Sequence, residues 1–305
     1  MNCKKLISST LLWAFLVNAY GQGISNSSQK SVAAYTGPII DMHMHDYSEN
    51  SYGSRIAPDG TQAPVSLQVF HQALLEQIKK FKIEKAVVST IGGEGMFKAD
   101  DVIIPGYYTS EPPTDTIEFK KKIESGAIQV FGEIGAVYGG FTLSDPAFDH
   151  FLKICERYEI PVGVHTGGSG MDITYQCCPN FRLKYGDPYT VEDVLAKYPK
   201  LKIYLMHAGE AYYEHALRLM TQYSQVYVDL GVILWVAEQP MDYAEAFLRK
   251  AKRYKLIDRV LYGSDQMVWP HAIEKSINTL NSYDFLTYED KEKIFYLNAK
   301  TFLKL

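Results

Sequence analysis

The chain has 305 residues, 47% of them hydrophobic and 22% charged, with a formal net charge of −4 from 31 basic and 35 acidic side chains. That length and composition suit one large α/β domain, with a core big enough to need no disulfide scaffold. The slightly acidic balance gives no basic footprint for nucleic acid, so no nucleic-acid partner is expected.

The first 21 residues have the pattern of a secretion signal. Lys4 and Lys5 form a short basic start, an apolar run follows to Val17, and Ala19-Tyr20-Gly21 is a small-residue cleavage site. The run is shorter than the ~20 residues of a membrane-spanning helix, so no stable membrane anchor is expected. The protein is expected to be exported, periplasmic or secreted. Cleavage removes two lysines and no acidic residue, which moves the formal charge from −4 to −6. Residues 22–36 are polar and Ser-rich and read as a flexible leader, with the folded domain over 37–305. The mature chain keeps Cys155, Cys177 and Cys178, an odd count that leaves at least one free thiol or an intermolecular bond.

In chain order, short apolar runs predict strands at 39–42, 86–91, 102–106, 128–134, 161–165, 201–206, 225–230 and 259–262. Longer runs with helical period alternate with them at 67–81, 116–125, 147–158, 191–198, 212–223, 244–254 and 271–281, and a final helix at 288–303 closes the chain. Strict alternation implies parallel strands covered by helices. Eight units predict a closed (β/α)8 TIM-like barrel, which carries its chemistry at the C-terminal strand ends. The long connections, including 46–66 and 166–190, all run from strand to helix and so fall on that face.

Asp41-Met42-His43-Met44-His45 ends the first strand. Side chains two apart share a strand face, so His43 and His45 can chelate one ion in the barrel mouth. His165 and His207 end the fifth and sixth strands, each after an apolar run and before a small-residue turn. Four of the eight histidines therefore fall at strand C-terminal ends, more than scattered core histidines would supply. Asp265 follows the eighth strand, which a closed barrel places beside the first. Glu133 ends the fourth strand among glycine and apolar residues, where a carboxylate is costly unless paired. Imidazole and carboxylate donors suit a divalent metal, with zinc favoured and manganese or iron(II) as alternatives. One tightly held ion is expected, with a second position open. Asp265 is the expected proton shuttle.

The segments IIDMHMH at 39–45, GEIG at 132–135, IPVGVHTGG at 160–168, YLMHAG at 204–209 and VLYGSDQMVWP at 260–270 resemble the amidohydrolase superfamily, and within it the amidohydrolase-2 type. The closing IFYLNAKTFLKL at 294–305 is similar to that family's last helix, so the resemblance spans nearly the whole mature chain in motif order. It implies that His43, His45, His165 and Asp265 bind metal. It implies that His207 is a second-metal ligand or a catalytic residue. Two-metal members of the superfamily often carry a bridging modified lysine at the fourth strand; here that strand offers Glu133 instead, as in TatD-like nucleases with their similar GEIG motif.

Three activities follow for comparison. The first is hydrolysis of a small-molecule amide, ester or lactone by a metal-activated water. The second is decarboxylation of a small carboxylic acid, for which Arg55 and Arg182 in the long loops are the available cations. The third is metal or ligand binding without turnover. Tyr47, Tyr52, Tyr107, Tyr108, Tyr138, Tyr175 and Trp269 are candidate pocket walls. The sequence leaves oligomeric state open.

Overall fold

The computed structural model describes residues 33–92 and 101–305. The signal segment and residues 22–32 of the leader lie outside the described residues. The rest of the leader is tied down. Tyr35 is buried, stacks on Phe295 with centroids 5.4 Å apart, and exchanges backbone hydrogen bonds with the Asn281 side chain. The folded domain therefore starts before residue 37. Among the described residues, no helix is long and apolar enough to cross a membrane.

All eight strands form. They are β1 (Ile39–Tyr47), β2 (Ile83–Ile91), β3 (Ile103–Gly106), β4 (Phe131–Ile134), β5 (Val162–His165), β6 (Ile203–Met206), β7 (Val226–Asp229) and β8 (Val260–Leu261). Every paired neighbour is parallel, in the runs β1-β2-β3 and β4-β5-β6-β7-β8. Backbone bonds close both seams. Tyr107 N donates to Val130 O at 3.0 Å between the β3 and β4 ends, and Met42 N donates to Tyr262 O at 2.9 Å between β1 and the end of β8. β4, β5 and β6 are buried at every position and β1 at all but its last, so both faces of these parallel strands are covered, which is why they read as nearly unbroken apolar runs.

One face of the strands meets the helices. Val162, Val164, Ile203, Leu205, Val226 and Val228 pack there in the main core. The alternate positions point inward. Ile40, Met42, Val87, Ile104, Val130, Tyr204, Met206 and Leu261 fill the barrel interior with Ala299 and Phe302 from the last helix. Tyr204 takes the space that Gly163 leaves, since a Cβ at Gly163 would lie 2.5 Å from the Tyr204 ring. Ile40, Val130, Tyr204 and Leu261 of this interior layer are followed three or four positions later by the polar side chains of His43, Glu133, His207 and Asp265. The apolar plug therefore lies beneath the polar mouth.

Helix boundaries follow local chemistry. Leu67–Lys80 buries Leu67, Phe70, Leu74 and Ile78 at helical spacing, and the Ser66 hydroxyl accepts from Val69 N at 3.3 Å to cap it. The helix expected from 244 begins at Glu238. Pro240 sits in its first turn, where a missing N–H costs nothing. The expected last helix is a helical run, Tyr288–Glu292 and Asn298–Leu303, joined through a π turn at Lys293–Leu297.

Candidate metal centre

The register of β1 shifts between Asp41 and Met44. Ile40 and Met42 belong to the interior plug, whereas Met44 packs on the helix side. The irregularity re-aims the strand, and His43 and His45 bring their Nε2 atoms within 3.1 Å of each other in the mouth. From β4, Glu133 places Oε2 3.1 Å from His45 Nε2 and 3.7 Å from His43 Nε2. Its Oε1 lies 2.6 Å from His165 Nδ1 and 3.6 Å from His207 Nε2. Asp265 places Oδ1 3.4 Å from His45 Nε2 and 3.9 Å from His43 Nε2. All six side chains singled out from the sequence meet in one buried cluster.

The outer contacts of the rings decide what the inner atoms are. His43 Nδ1 faces Asp229 Oδ2 at 3.0 Å, and His45 Nδ1 faces the Ser89 carbonyl at 3.1 Å. His207 Nδ1 faces the Gly231 carbonyl at 3.0 Å, and His165 Nε2 faces the Gly168 carbonyl at 2.9 Å. Each of these four partners can only accept, so each of those ring nitrogens carries the proton. In the neutral rings the inner nitrogens, Nε2 of His43, His45 and His207 and Nδ1 of His165, then present lone pairs. They converge with two carboxylates, and acceptors alone at such spacing repel. A cation resolves the conflict, and outer hydrogen bonds that fix the tautomer are the usual support of ligating histidines. The donor chemistry thus fits a divalent metal. Ligand atoms of His43, His45 and Asp265, and likewise of His43, Glu133 and His207, lie within 4.8 Å of one another.

The cluster's electrostatics agree. Burial opposes charge on His43, but Asp265 and Asp229 raise its pKa well above the usual imidazole value. Burial also opposes ionisation of Glu133, yet the four surrounding imidazoles of His165, His207, His43 and His45 hold its carboxyl well below the carboxylate range. The site is built for positive charge.

Two further carboxylates hold the frame. Asp229, fully buried at the end of β7, accepts from His43 Nδ1 at 3.0 Å and from His207 N and Gly231 N at 2.9 Å each. Asp41 Oδ1 accepts from His43 N and Ser264 N at 3.0 Å, clamping β1 to the chain beyond β8, and burial pushes its carboxyl up to about 7. Neither role was singled out from the sequence. For Asp229 the sign was there: an acid ends the apolar run of β7 in the same position as Glu133, His165 and His207 on theirs. Gln266 also ties the mouth, since its amide oxygen accepts from His45 N at 3.1 Å and its Nε2 donates to His45 O at 2.6 Å.

Close packing leaves no room for side chains at two glycines. A Cβ at Gly231 would lie 2.6 Å from His43 Nδ1, and one at Gly263 would lie 2.8 Å from His43 Cβ. Non-glycine residues with positive φ gather here too: His207, Ala208, Glu210, Val232, Asp265 and Met267 all follow β6, β7 or β8. Such conformations cost about 1–3 kcal/mol each and persist where surrounding contacts over-determine them. Asp265 is not a helix cap, because the next helix begins at His271 after Pro270.

The candidate walls divide. The rings of Tyr47 and Tyr108 lie 5.9 and 6.5 Å from that of His45, and Tyr138 lies 5.0 Å from His165. Burial, and then nearby carboxylates, raise all three phenols well above their ordinary pKa, so each keeps its proton. Tyr52 packs on Phe70, Tyr107 on Phe119 and Phe131, and Trp269 on Trp235, so these three are framework. Arg55 is exposed and stands over the Tyr47 ring, 5.3 Å from its centroid. Arg182 is spent on its own loop, donating to the Pro179 and Phe181 carbonyls. Cys177 and Cys178 form a disulfide between adjacent residues, and Cys155 is a free, buried thiol whose pKa burial raises.

The family model described as Amidohydrolase matches residues 40–305. No curated protein matches the chain. Among solved structures, an uncharacterized TIM-barrel protein from Bordetella bronchiseptica shares 20% identity at a TM-score of 0.62, covering 88% of this chain and 99% of its own. A probable 2-pyrone-4,6-dicarboxylic acid hydrolase from Acinetobacter baumannii, with citric acid bound, shares 15% at 0.61 and covers 88% and 100%. A 2,6-dihydroxybenzoate decarboxylase from Rhizobium shares 14% at 0.60 and covers 88% and 98%. At these identities the likeness bears on the fold, a TIM barrel.

Proposed function

The chain belongs to the amidohydrolase family, and from that premise we propose that it is an exported metal-dependent hydrolase of a small-molecule amide, ester or lactone. The observation that carries this reading is the convergence of four imidazole lone pairs with Glu133 and Asp265, with every ring's outer nitrogen fixed by an acceptor. His43, His45 and Asp265 would hold the ion, joined by Glu133. His165 and His207 complete the cluster and offer a second position. His43 is common to both donor sets, and one ring nitrogen serves one ion, which favours a single tightly held equivalent. When bound, a divalent ion polarises a substrate oxygen and lowers the pKa of water towards ~7.

The protein's own groups do the rest. Asp265 sits against His45 Nε2 at 3.4 Å and His207 Nδ1 at 3.9 Å, where its carboxylate can take a proton from the nucleophile and return it to the leaving group. His207 spends Nδ1 on Gly231 O and turns Nε2 inward, which favours a ligand role over protonation of substrate. Tyr47, Tyr108 and Tyr138 remain protonated at neutral pH; Tyr47 and Tyr108 can donate to a substrate oxygen, whereas Tyr138 donates to the Ser169 hydroxyl.

Decarboxylation is the second reading, and Arg55 favours it, because a guanidinium over Tyr47 beside the mouth suits a substrate carboxylate. Metal analysis followed by a screen of lactones, amides, esters and small aromatic acids separates the two. Hydrolysis of a neutral lactone or amide is the expected result; release of carbon dioxide with no hydrolysis would replace it. Two metal equivalents surviving dialysis against a mild chelator would overturn the one-ion assignment. For export, intact mass of the protein from the outer compartment should show a chain beginning near Gln22, and one still carrying Met1 there would refute signal cleavage.

A further inference from the structure

A groove of about 360 Å³ opens beside the centre, between the loop after β5 and the segments following β6 and β7. It begins at Gly168, whose carbonyl accepts from His165 Nε2 at 2.9 Å. We propose that this groove holds the non-reacting part of the substrate and that this part is a neutral, polyhydroxylated ring of the glycoside kind. The proposal rests on the donor cluster being the reacting centre.

The groove's hydrogen-bonding capacity selects that chemistry. Among the described residues, no lysine or arginine lines it, and Asp172 and Glu210 do. A carboxylate or phosphate, which only accepts, would face like charge and find no cation. Donors and acceptors both remain open along the wall. The Ser169 hydroxyl accepts from Tyr138 OH at 3.2 Å and keeps its own proton to give. The Tyr243 hydroxyl accepts from Gln239 Nε2 at 2.7 Å and also keeps its proton. Gln239 Oε1, Asp172 and one oxygen of Glu210 are left as acceptors, while the other Glu210 oxygen takes the Gly168 N–H. An ammonium could pair with Asp172 or Glu210 but cannot accept the protons of the two hydroxyls. A ring hydroxyl both donates and accepts, and so can satisfy each type. Tyr175, 87% exposed at the groove's edge, adds a flat amphipathic face for a ring to lie on. The link to chemistry is direct, because Ser169 is held by Tyr138, and Tyr138 packs on His165.

Saturation-transfer NMR on the full mature protein tests this with methyl β-glucoside, glucuronate and glucosamine as probes, each with metal-loaded and metal-stripped protein. The neutral glycoside should bind equally with and without metal, and both charged sugars should bind at least about fivefold more weakly. Tyr175→Ala and Gln239→Ala, both at exposed positions, should together weaken binding by about tenfold, a loss of ~1.4 kcal/mol. Glucuronate or glucosamine binding as well as the glycoside would overturn the assignment, as would an absence of transfer or indifference to the two variants. Binding that required metal would place the sugar at the centre and also refute the groove. Because the probe carries no reacting bond, these outcomes are independent of whether the centre hydrolyses anything.

Discussion

Beneath the mouth, Ile40, Val130, Tyr204 and Leu261 pack the barrel interior with Phe302, and three or four residues further along the chain from those four stand His43, Glu133, His207 and Asp265. The lower layer gains stability from each apolar contact. The upper layer spends it, by burying carboxylates, opposing imidazole lone pairs and holding six non-glycine residues at positive φ. The contrast teaches that the donors are rigid because the strands carrying them are anchored from below, and that the mouth is made for a cation which the rest of the fold does not need.

The largest expected effect breaks the upper layer alone. His43→Ala removes the ring nitrogen common to both donor sets, so metal content and turnover should fall together to background. Wild-type protein should gain thermal stability on adding metal, about 4 kcal/mol at a thousandfold excess over Kd, and the variant should gain none; calorimetry with and without chelator measures both. Equal metal-induced stabilisation in the variant would show that the ion binds elsewhere. Next comes the lower layer. Phe302→Ala empties a fully buried site against Tyr204 and Tyr227 and should cost about 3–5 kcal/mol of stability in denaturant unfolding, while metal per folded molecule stays at the wild-type value. A variant that folded stably and lost its metal would mean the two layers are not separable in this way.

Much of this was legible in the residues because six of the eight strands, all but β2 and β3, carry an apolar run and then a polar residue at or just past the C-terminal end. The apolar runs placed all eight strands, and the polar ends brought forward the six clustered side chains. Asp229 carried the same pattern and was passed over, since an acid closing a strand reads equally as a turn residue. Asp41 was not legible as a clamp, because its partner Ser264 N is 223 positions away in the chain and only barrel closure brings them together. The re-aiming of His43 and His45 depends on a register shift that sequence spacing does not reveal. The early start of the helix at Glu238 was hidden by Pro240, which reads as a breaker unless it falls in the first turn.

Within the upper layer, Asp265→Asn sharpens the distinction between holding the ion and moving the proton. The amide keeps the shape of the side chain and loses its basicity. On a confirmed substrate, turnover should fall by ~10²-fold or more, with metal largely retained by His43, His45 and Glu133. Normal turnover in this variant would transfer the proton to another group, with Glu133 next in line by its contacts to all four rings.

The smallest effect should come from the Cys177–Cys178 disulfide, which lies in the loop after β5 and outside both layers. A cross-link stabilises mainly by shortening the loops open to the unfolded chain. Here the bonded residues are already neighbours, so the bond closes almost no loop and removes little unfolded-state entropy. It also contributes no ligand atom, as the donors stand on strand ends fixed by their own backbone and by Asp229 and Asp41. The Cys177→Ser/Cys178→Ser double variant should therefore unfold within ~1 kcal/mol of wild type and bind the same amount of metal. Any consequence should fall on the groove, whose Tyr175 and Phe181 flank the pair in sequence, and should appear as a few-fold change in KM with kcat unchanged. A loss of metal in the double variant would tie the loop to the donors and undo the separation between a strand-borne centre and a loop-borne groove.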